Sequence, residues 1–313
     1  MGSNNALVRR GKGERFPKRW SIAALAVFLI LDVGLVVAAL DEKRIPQTVR
    51  ASIPSPSSSA SASPTASPQA VASAVVPQRV LAAVTDDVSW RGLTGSCPGN
   101  APELEYTDDG GVTWNSVDPE VRAGFSALVR VVPESASEAN VVTLDAECAP
   151  QLIGTFVAGD AWEDHSSNLG SYWYLDPMDR ATVHAPDGSV PAPCGSAVSI
   201  ATRSTSEAAV LCEDQAIFST TDGGANWDTA TVPGATAVAG APDGYVVAVV
   251  GQGQCTGTSV VTLLGSRVGL PAGCGGEAPA PGETAISMAE GGTLWLWAGA
   301  FFARSTDGGL TWS

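Results

Sequence analysis

The chain spells one eight-residue pattern three times: TDDGGVTW at 107–114, TTDGGANW at 220–227 and STDGGLTW at 305–312. A hydroxyl residue stands first, Asp third, Gly fifth, Thr or Asn seventh and Trp eighth. The fifteen positions are Thr107, Asp109, Gly111, Thr113 and Trp114; Thr220, Asp222, Gly224, Asn226 and Trp227; and Ser305, Asp307, Gly309, Thr311 and Trp312. These residue types suit a tight link between antiparallel strands. A carboxylate accepts bonds from main-chain N–H groups just downstream, glycine takes positive φ without a Cβ clash, and tryptophan starts the next strand as a large apolar anchor. A turn that staples itself and recurs across the chain predicts a repeated β-unit.

The flanking text repeats as well. Residues 196–232 read as four short strands, with apolar alternation in AVSIAT, EAAVLC and QAIFST before the octet and NWDTATV after it. That is one blade of about 40 residues, the size of a propeller repeat. Residues 235–271 repeat the plan with the octet eroded, and 283–313 repeat it with the octet intact. Upstream lie a first blade around 79–118 and a longer second one with an insertion near 159–171. The expected fold is all-β, a β-propeller of about five, five to six, four-stranded blades with octets in the first, third and fifth. The last blade ends as its fourth strand begins. Either that strand is very short, or residues 79–90 complete it and close the ring, which removes exposed sheet edges.

The octet resembles the Asp-box, or bacterial neuraminidase repeat, S/T-x-D-x-G-x-T/N-W, found in β-propellers of the sialidase, sortilin-like and photosystem II assembly factor types. The resemblance implies that each copy joins the third and fourth strands of a blade, on the outside and away from the central channel. It speaks to fold and leaves chemistry open.

Before the propeller, at 79–313, the text changes three times. Residues 1–20 are a basic tail carrying Arg9, Arg10, Lys12, Arg15, Lys18 and Arg19. Residues 21–40, SIAALAVFLILDVGLVVAAL, are long enough to cross a hydrocarbon core of about 30 Å as a helix. The positive-inside rule then places the amino terminus in the cytoplasm and the rest outside the plasma membrane. The alternative is a cleaved signal peptide and a secreted product. Residues 41–78 are rich in Ser, Pro and Ala and read as a disordered tether, because they bury too little to offset the entropy of ordering.

Charge and cysteines narrow the function. Residues 79–313 hold 28 Asp and Glu against eight Arg and no Lys, a formal charge of −20. Such a domain repels nucleic acid, whose binding requires cations to displace counterions. All six cysteines lie there without a CxxC pair, so disulfides are expected rather than a metal site. Of the fifteen possible pairings, neighbours in sequence are preferred: Cys97 with Cys148, Cys194 with Cys212, and Cys255 with Cys274.

No catalytic constellation stands out. Sialidases use three arginines on the substrate carboxylate, a tyrosine nucleophile with a glutamate, and an aspartic acid; the Arg-Ile-Pro motif is absent from the propeller, and the copy at 44–46 lies in the tether. His165 and His184 are the only histidines, neither near a GxSxG elbow, and no cofactor or metal fingerprint is present. The loop at 160–176 gathers Trp162, Tyr172, Trp173 and Tyr174, side chains suited to stacking on a sugar or peptide and equally to packing a blade. The expected function is a membrane-anchored, non-catalytic binding or assembly scaffold for a protein or cell-wall ligand. The alternative is a sialidase-like glycosidase acting on cell-surface glycans.

Overall fold

The computed structural model describes residues 73–117 and 124–313. The basic tail, the apolar segment at 21–40 and residues 41–72 of the tether lie outside them. Among the described residues no helix is long and apolar enough to cross a membrane.

Six antiparallel sheets follow one another along the chain. The first comprises β1 (Arg79–Ala83), β2 (Ser89–Leu93), β3 (Glu103–Thr107) and β4 (Asn115–Val117). The second comprises β5 (Ala127–Pro133), β6 (Ala139–Leu144), β7 (Pro150–Thr155) and the two-residue β8 (Glu163–Asp164). A 3-10 helix (Ser166–Ser171) leads into the third, β9 (Tyr174–Asp176), β10 (Asp179–Ala185) and β11 (Gly188–Pro191). The fourth is β12 (Ala197–Thr202), β13 (Ala208–Cys212), β14 (Ala216–Thr220) and β15 (Asp228–Thr231). The fifth is β16 (Ala235–Ala241), β17 (Gly244–Val250), β18 (Thr258–Leu264) and β19 (Arg267–Val268), with β20 (Ala272–Gly275) also paired to β18. The sixth is β21 (Thr284–Met288), β22 (Leu294–Ala298) and β23 (Phe301–Ser305).

The first strands of successive sheets contact one another around a ring, closely except at β9, which touches β5 and β12 less extensively, and β21 returns to β1. The result is a closed six-bladed β-propeller built on a four-strand plan, from which the third, fifth and sixth blades depart.

Apolar alternation on each strand supplies the glue between blades. Trp90 and Leu104 meet Leu128, Val141 and Ile153 between the first and second. Tyr174 meets Val142 and Leu152 between the second and third. Leu175 and Val183 meet Val210 between the third and fourth. Leu211 and Ile217 meet Val247 and Leu263 between the fourth and fifth, and Val246 and Val260 meet Leu294 and Leu296 between the fifth and sixth. Strand β17 sits between two blades and is buried on both faces, which explains the unbroken apolar text GYVVAVV.

The count of six revises the placement of the octets, which fall in the first, fourth and sixth blades. The enlarged second blade expected from sequence is two blades: YWYLD opens a third sheet, and β10 and β11 form a hairpin around Pro186 and Asp187. Ring closure also differs from one of the two expected routes. Residues 79–90 do not complete the last sheet; they form β1 and enter β2, and the first and last blades meet through contacts between separate sheets. Gln78 N–H donates to Gly282 O at 2.8 Å and Ala83 N–H to Ser287 Oγ at 2.9 Å. The fourth strand of the last blade is the short alternative: Ser313 and Arg304 exchange two main-chain bonds of 2.9 Å. Residues 73–78, assigned by composition to the tether, rest on the propeller. Ala74 is 3% exposed and its N–H donates to Glu213 O at 2.9 Å, its small side chain fitting a gap among larger ones.

All three cystines join the expected neighbours, Cys97–Cys148, Cys194–Cys212 and Cys255–Cys274. The first ties the first blade to the second, the second ties the link after β11 to β13, and the third lies within the fifth blade. Disulfides of this kind belong to an oxidising compartment.

Candidate functional site

The octets are structural staples with one geometry. Thr107 Oγ1 donates to Asp109 Oδ1 at 2.8 Å and accepts from Gly111 N–H at 3.0 Å, while Asp109 accepts from Thr113 N–H at 2.9 Å and its hydroxyl at 2.6 Å. In the fourth blade Thr220 donates to Asp222 at 2.9 Å, and Asn226 donates to Asp222 from N–H at 2.9 Å and from Nδ2 at 2.7 Å. In the sixth, Ser305 donates to Asp307 at 2.7 Å and the Thr311 hydroxyl donates to Asp307 at 2.6 Å. These bonds, first from the residue four places on, hold the carboxyls of Asp109 and Asp307 down to about 2 and lower that of Asp222.

Each octet's second glycine is wedged against the preceding blade. A Cβ on Gly111 would stand 2.8 Å from Phe302, one on Gly224 2.9 Å from Val190, and one on Gly309 3.3 Å from Val260. The octet therefore sets the distance between blades as well as its own turn.

A fourth, degenerate copy was missed in the sequence. TFVAGDAW at 155–162 keeps the hydroxyl, the glycine and the tryptophan but has Val157 and Ala161 at the third and seventh places. Thr155 Oγ1 still accepts from Gly159 N–H at 2.9 Å, and a Cβ on Gly159 would meet Val117 of the preceding blade at 2.3 Å. Trp162 is the tryptophan of this copy and packs edge-on to Phe125.

The other three aromatic candidates lie in the third blade. Trp173 is 2% exposed and its Nε1 donates to the carbonyls of Ser204 and Thr205, both at 3.1 Å. Tyr174 stacks on His184 with ring centroids 4.2 Å apart. Tyr172 is half-buried and packs against the cluster of Val142, Leu152 and Tyr174. The four rings thus do not form one platform, and of them only Tyr174 lines the central channel.

That channel is a cavity of about 930 Å³ walled by all six blades. Its charge is opposite to that of the domain. Arg79, Arg130, Arg180 and Arg203 line it, against the single carboxylate of Glu290. They divide between the two ends. At the end where the inner strands begin, Arg79 donates to Gly299 O at 2.6 Å and pairs with Glu283 at 3.8 Å, and Arg180 donates to Ala197 O at 2.8 Å and Val198 O at 3.2 Å. At the other end, Arg203 donates to Ala241 O at 2.8 Å and to Pro242 O and pairs with Glu207 at 3.4 Å.

Arg130 crosses from β5 to donate to Trp173 O at 2.7 Å and to the Thr202 hydroxyl. Its side chain keeps some exposure to the channel, yet its guanidinium is deep among protein atoms, and desolvation lowers it to about 10. Burial likewise lowers Arg180. Among the described residues neither guanidinium has a carboxylate within ion-pair distance. Sequence counts eight arginines in the propeller without placing them, because nothing in their spacing reveals that four of eight face one hole.

No family model matches the chain, and no curated protein matches it. Solved structures of similar course include YCF48 bound to D1 peptide, at 18% identity and TM-score 0.29, with 78% of this chain covered and 66% of that one, so the chain spans about two thirds of its length. AofleA from Arthrobotrys oligospora matches at 8% identity and TM-score 0.48, covering 77% and 86%. An Aleuria aurantia lectin in complex with Fucalpha1-6GlcNAc matches at 11% identity and TM-score 0.41, covering 76% and 97%. The propeller assignment rests on the sheet order itself.

Proposed function

We propose that this protein is a membrane-anchored extracytoplasmic binding scaffold, held by residues 21–40, extended on its Ser, Pro and Ala-rich tether, and docking an anionic protein or cell-wall ligand in its central channel. The observation that carries the reading is the inversion of charge: an acidic domain turns four of its eight arginines into one cavity. Two of the four, Arg79 and Arg203, are paired with Glu283 and Glu207. Arg130 and Arg180, desolvated and held by carbonyls and a hydroxyl, remain available to an incoming anion, for which Arg is better suited than Lys through its planar, weakly hydrated fork. The octets belong with the Asp-box in this reading, as fixed spacers of the blades rather than a site.

The glycosidase reading fits less well. A clamp on a substrate carboxylate needs three arginines at one place, and here they divide between the two ends. An acid–base pair needs two facing carboxylates, and the lining supplies Glu290.

The test is capture from detergent-solubilised envelope of the protein's own organism, using the immobilised full-length protein and its Arg180→Gln/Arg203→Gln variant. A discrete ligand retained by the first and lost by the second supports the channel as the docking site. Equal capture by both removes it. Wall polysaccharide that is shortened during incubation moves the reading to a glycan-active enzyme.

A further inference from the structure

The third blade lacks its inner strand. In the first blade, Trp90 on the second strand donates from Nε1 to Ser135 O, at 2.8 Å, in the turn between the first two strands of the next blade. In the third blade Trp173 does the same, donating to Ser204 O and Thr205 O in the turn between β12 and β13. Trp173 therefore occupies a second-strand position, yet it immediately precedes β9, the first strand of its sheet.

Direction agrees with position. Arg130 binds both Trp173 O and Thr202, so the start of β9 lies level with the end of β12. Arg180, just past the end of β9, reaches Ala197 and Val198 at the start of β12. Strand β9 thus runs opposite to β12, as a second strand does. The chain passes from β8 through the 3-10 helix directly to this second position.

The omission leaves a slot in the channel wall between β5 and β12, floored by β9. Its length is set by the six residues of β12, about 20 Å at 3.3 Å per residue. Strand β9 is the edge of its sheet, so the side that an inner strand would cover has no strand paired to it, although its side chains are buried, Leu175 at 6% exposure. Because Trp173 O points away from β10 toward Arg130, and main-chain groups alternate along a strand, the N–H and C=O of Leu175 point the same way. Leu175 lines the channel, and among the described residues no bond from outside its own sheet reaches it. Arg130 stands at one end of the slot and Arg180 at the other; among the described residues neither has a carboxylate within ion-pair distance, and Arg180 feels Asp176 only at longer range.

We propose that an extended acidic peptide segment of a partner protein adds to β9 as the missing inner strand, antiparallel to it, with one carboxylate meeting Arg130 and another meeting Arg180. Strand addition supplies main-chain bonds and the two arginines supply the selection for acid residues. Two carboxylates four residues apart lie about 13 Å apart on one face of a strand, which suits arginines at the two ends of β12. The proposal rests on the channel being the docking site and adds what enters it and where.

The probe is a fluorescein-labelled peptide, Thr-Asp-Val-Thr-Val-Asp-Thr, titrated into the full-length protein in detergent. Two controls accompany it: the same peptide with Asn for both Asp, and one N-methylated at two successive central residues. The expected result is saturable binding, weakened at least tenfold by either control and by Arg180→Gln, the variant's fold being checked by circular dichroism. In the unsubstituted protein the probe should slow amide exchange at Leu175 at least tenfold, read by mass spectrometry over residues 172–176. Absence of binding, equal binding of the N-methylated peptide, or unchanged exchange at Leu175 overturns strand addition. Full displacement of the probe by millimolar glutarate with no change in exchange also overturns it, in favour of a small dicarboxylate site. If envelope capture still depends on Arg180 and Arg203 in those cases, the channel reading stands without the strand; if it does not, both fall.

Discussion

The guanidinium of Arg79 lies 4.3 Å from the centre of the Trp297 ring, across the junction where the first blade meets the last. Arg91 approaches the same indole at 5.1 Å and covers Trp114 at 3.9 Å. The two ends of the ring are thus clasped by alternating cations and rings where no strand is shared. Desolvated cation–π contacts contribute up to about 2 kcal/mol each.

Replacing Trp297 with Ala should therefore loosen closure. The expected loss is about 2–3 kcal/mol, from lost packing and the cation–π contacts together. For a domain of this size that is a fall in Tm of about 5–10 °C, readable by calorimetry. An unchanged Tm would show that the main-chain contacts of Gln78 and Ala83 suffice. Deletion of residues 79–90 removes β1 altogether and should be far more damaging.

The octet carboxylates set the acid limit. The carboxyls of Asp109 and Asp307 are depressed to about 2 in the folded protein, against about 3.9 in an unfolded chain. A depressed carboxyl contributes stability that is complete above the unfolded value and is lost as pH falls through the folded one. Thermal stability should accordingly fall between about pH 4 and pH 2. In Asp109→Asn/Asp307→Asn the same window should be flatter, from a lower plateau at neutral pH; parallel curves for the two proteins would contradict this account.

Neighbouring glycines separate backbone strain from crowding. Gly223 and Gly224 both have positive φ, 74° and 91°. A Cβ on Gly223 meets nothing within 4 Å, whereas one on Gly224 meets Val190 at 2.9 Å. Gly223→Ala should cost about 1 kcal/mol for the left-handed backbone alone. Gly224→Ala should cost about 2–3 kcal/mol, because overpacking is added. Urea midpoints measured side by side decide it, and equal midpoints would remove the wedge role of the second glycine.

Cystines of unequal span should differ in effect. The bond from Cys97 to Cys148 closes 51 residues, against 18 for Cys194 to Cys212. Loop entropy gives about 4 kcal/mol for the longer and about 3 for the shorter. Cys97→Ser/Cys148→Ser should therefore melt lower than Cys194→Ser/Cys212→Ser. The reverse order would mean that local packing around Cys212, buried at 1% exposure, outweighs chain entropy.

Three octets, the blade-length repeat and an even number of cysteines made the propeller and its cystines readable in the text. The third blade was not, for a physical reason. With its inner strand gone, YWYLD has no upstream partner in sequence, and the turn of β10 and β11 carries Pro186 and Asp187 in place of an octet. The segment therefore looked like a tail of the blade before it. The octet at 155–162 escaped because a pattern keyed on the carboxylate fails when Val157 replaces it, although Thr155 and Gly159 retain the bond that shapes the turn. The arginines of the channel were invisible for a third reason: an inner strand shows its sequence neighbours, not the opposite wall.

The reversed strand gives the hole a keyway. Five of its walls present chains running one way along the axis, and the sixth presents a chain running the other way. A ring of near-identical blades would centre whatever enters it while leaving it free to turn. Here one angular position differs from the rest, so an occupant seated against β9 is clocked as well as centred, and the two faces of the propeller acquire a fixed azimuth relative to it.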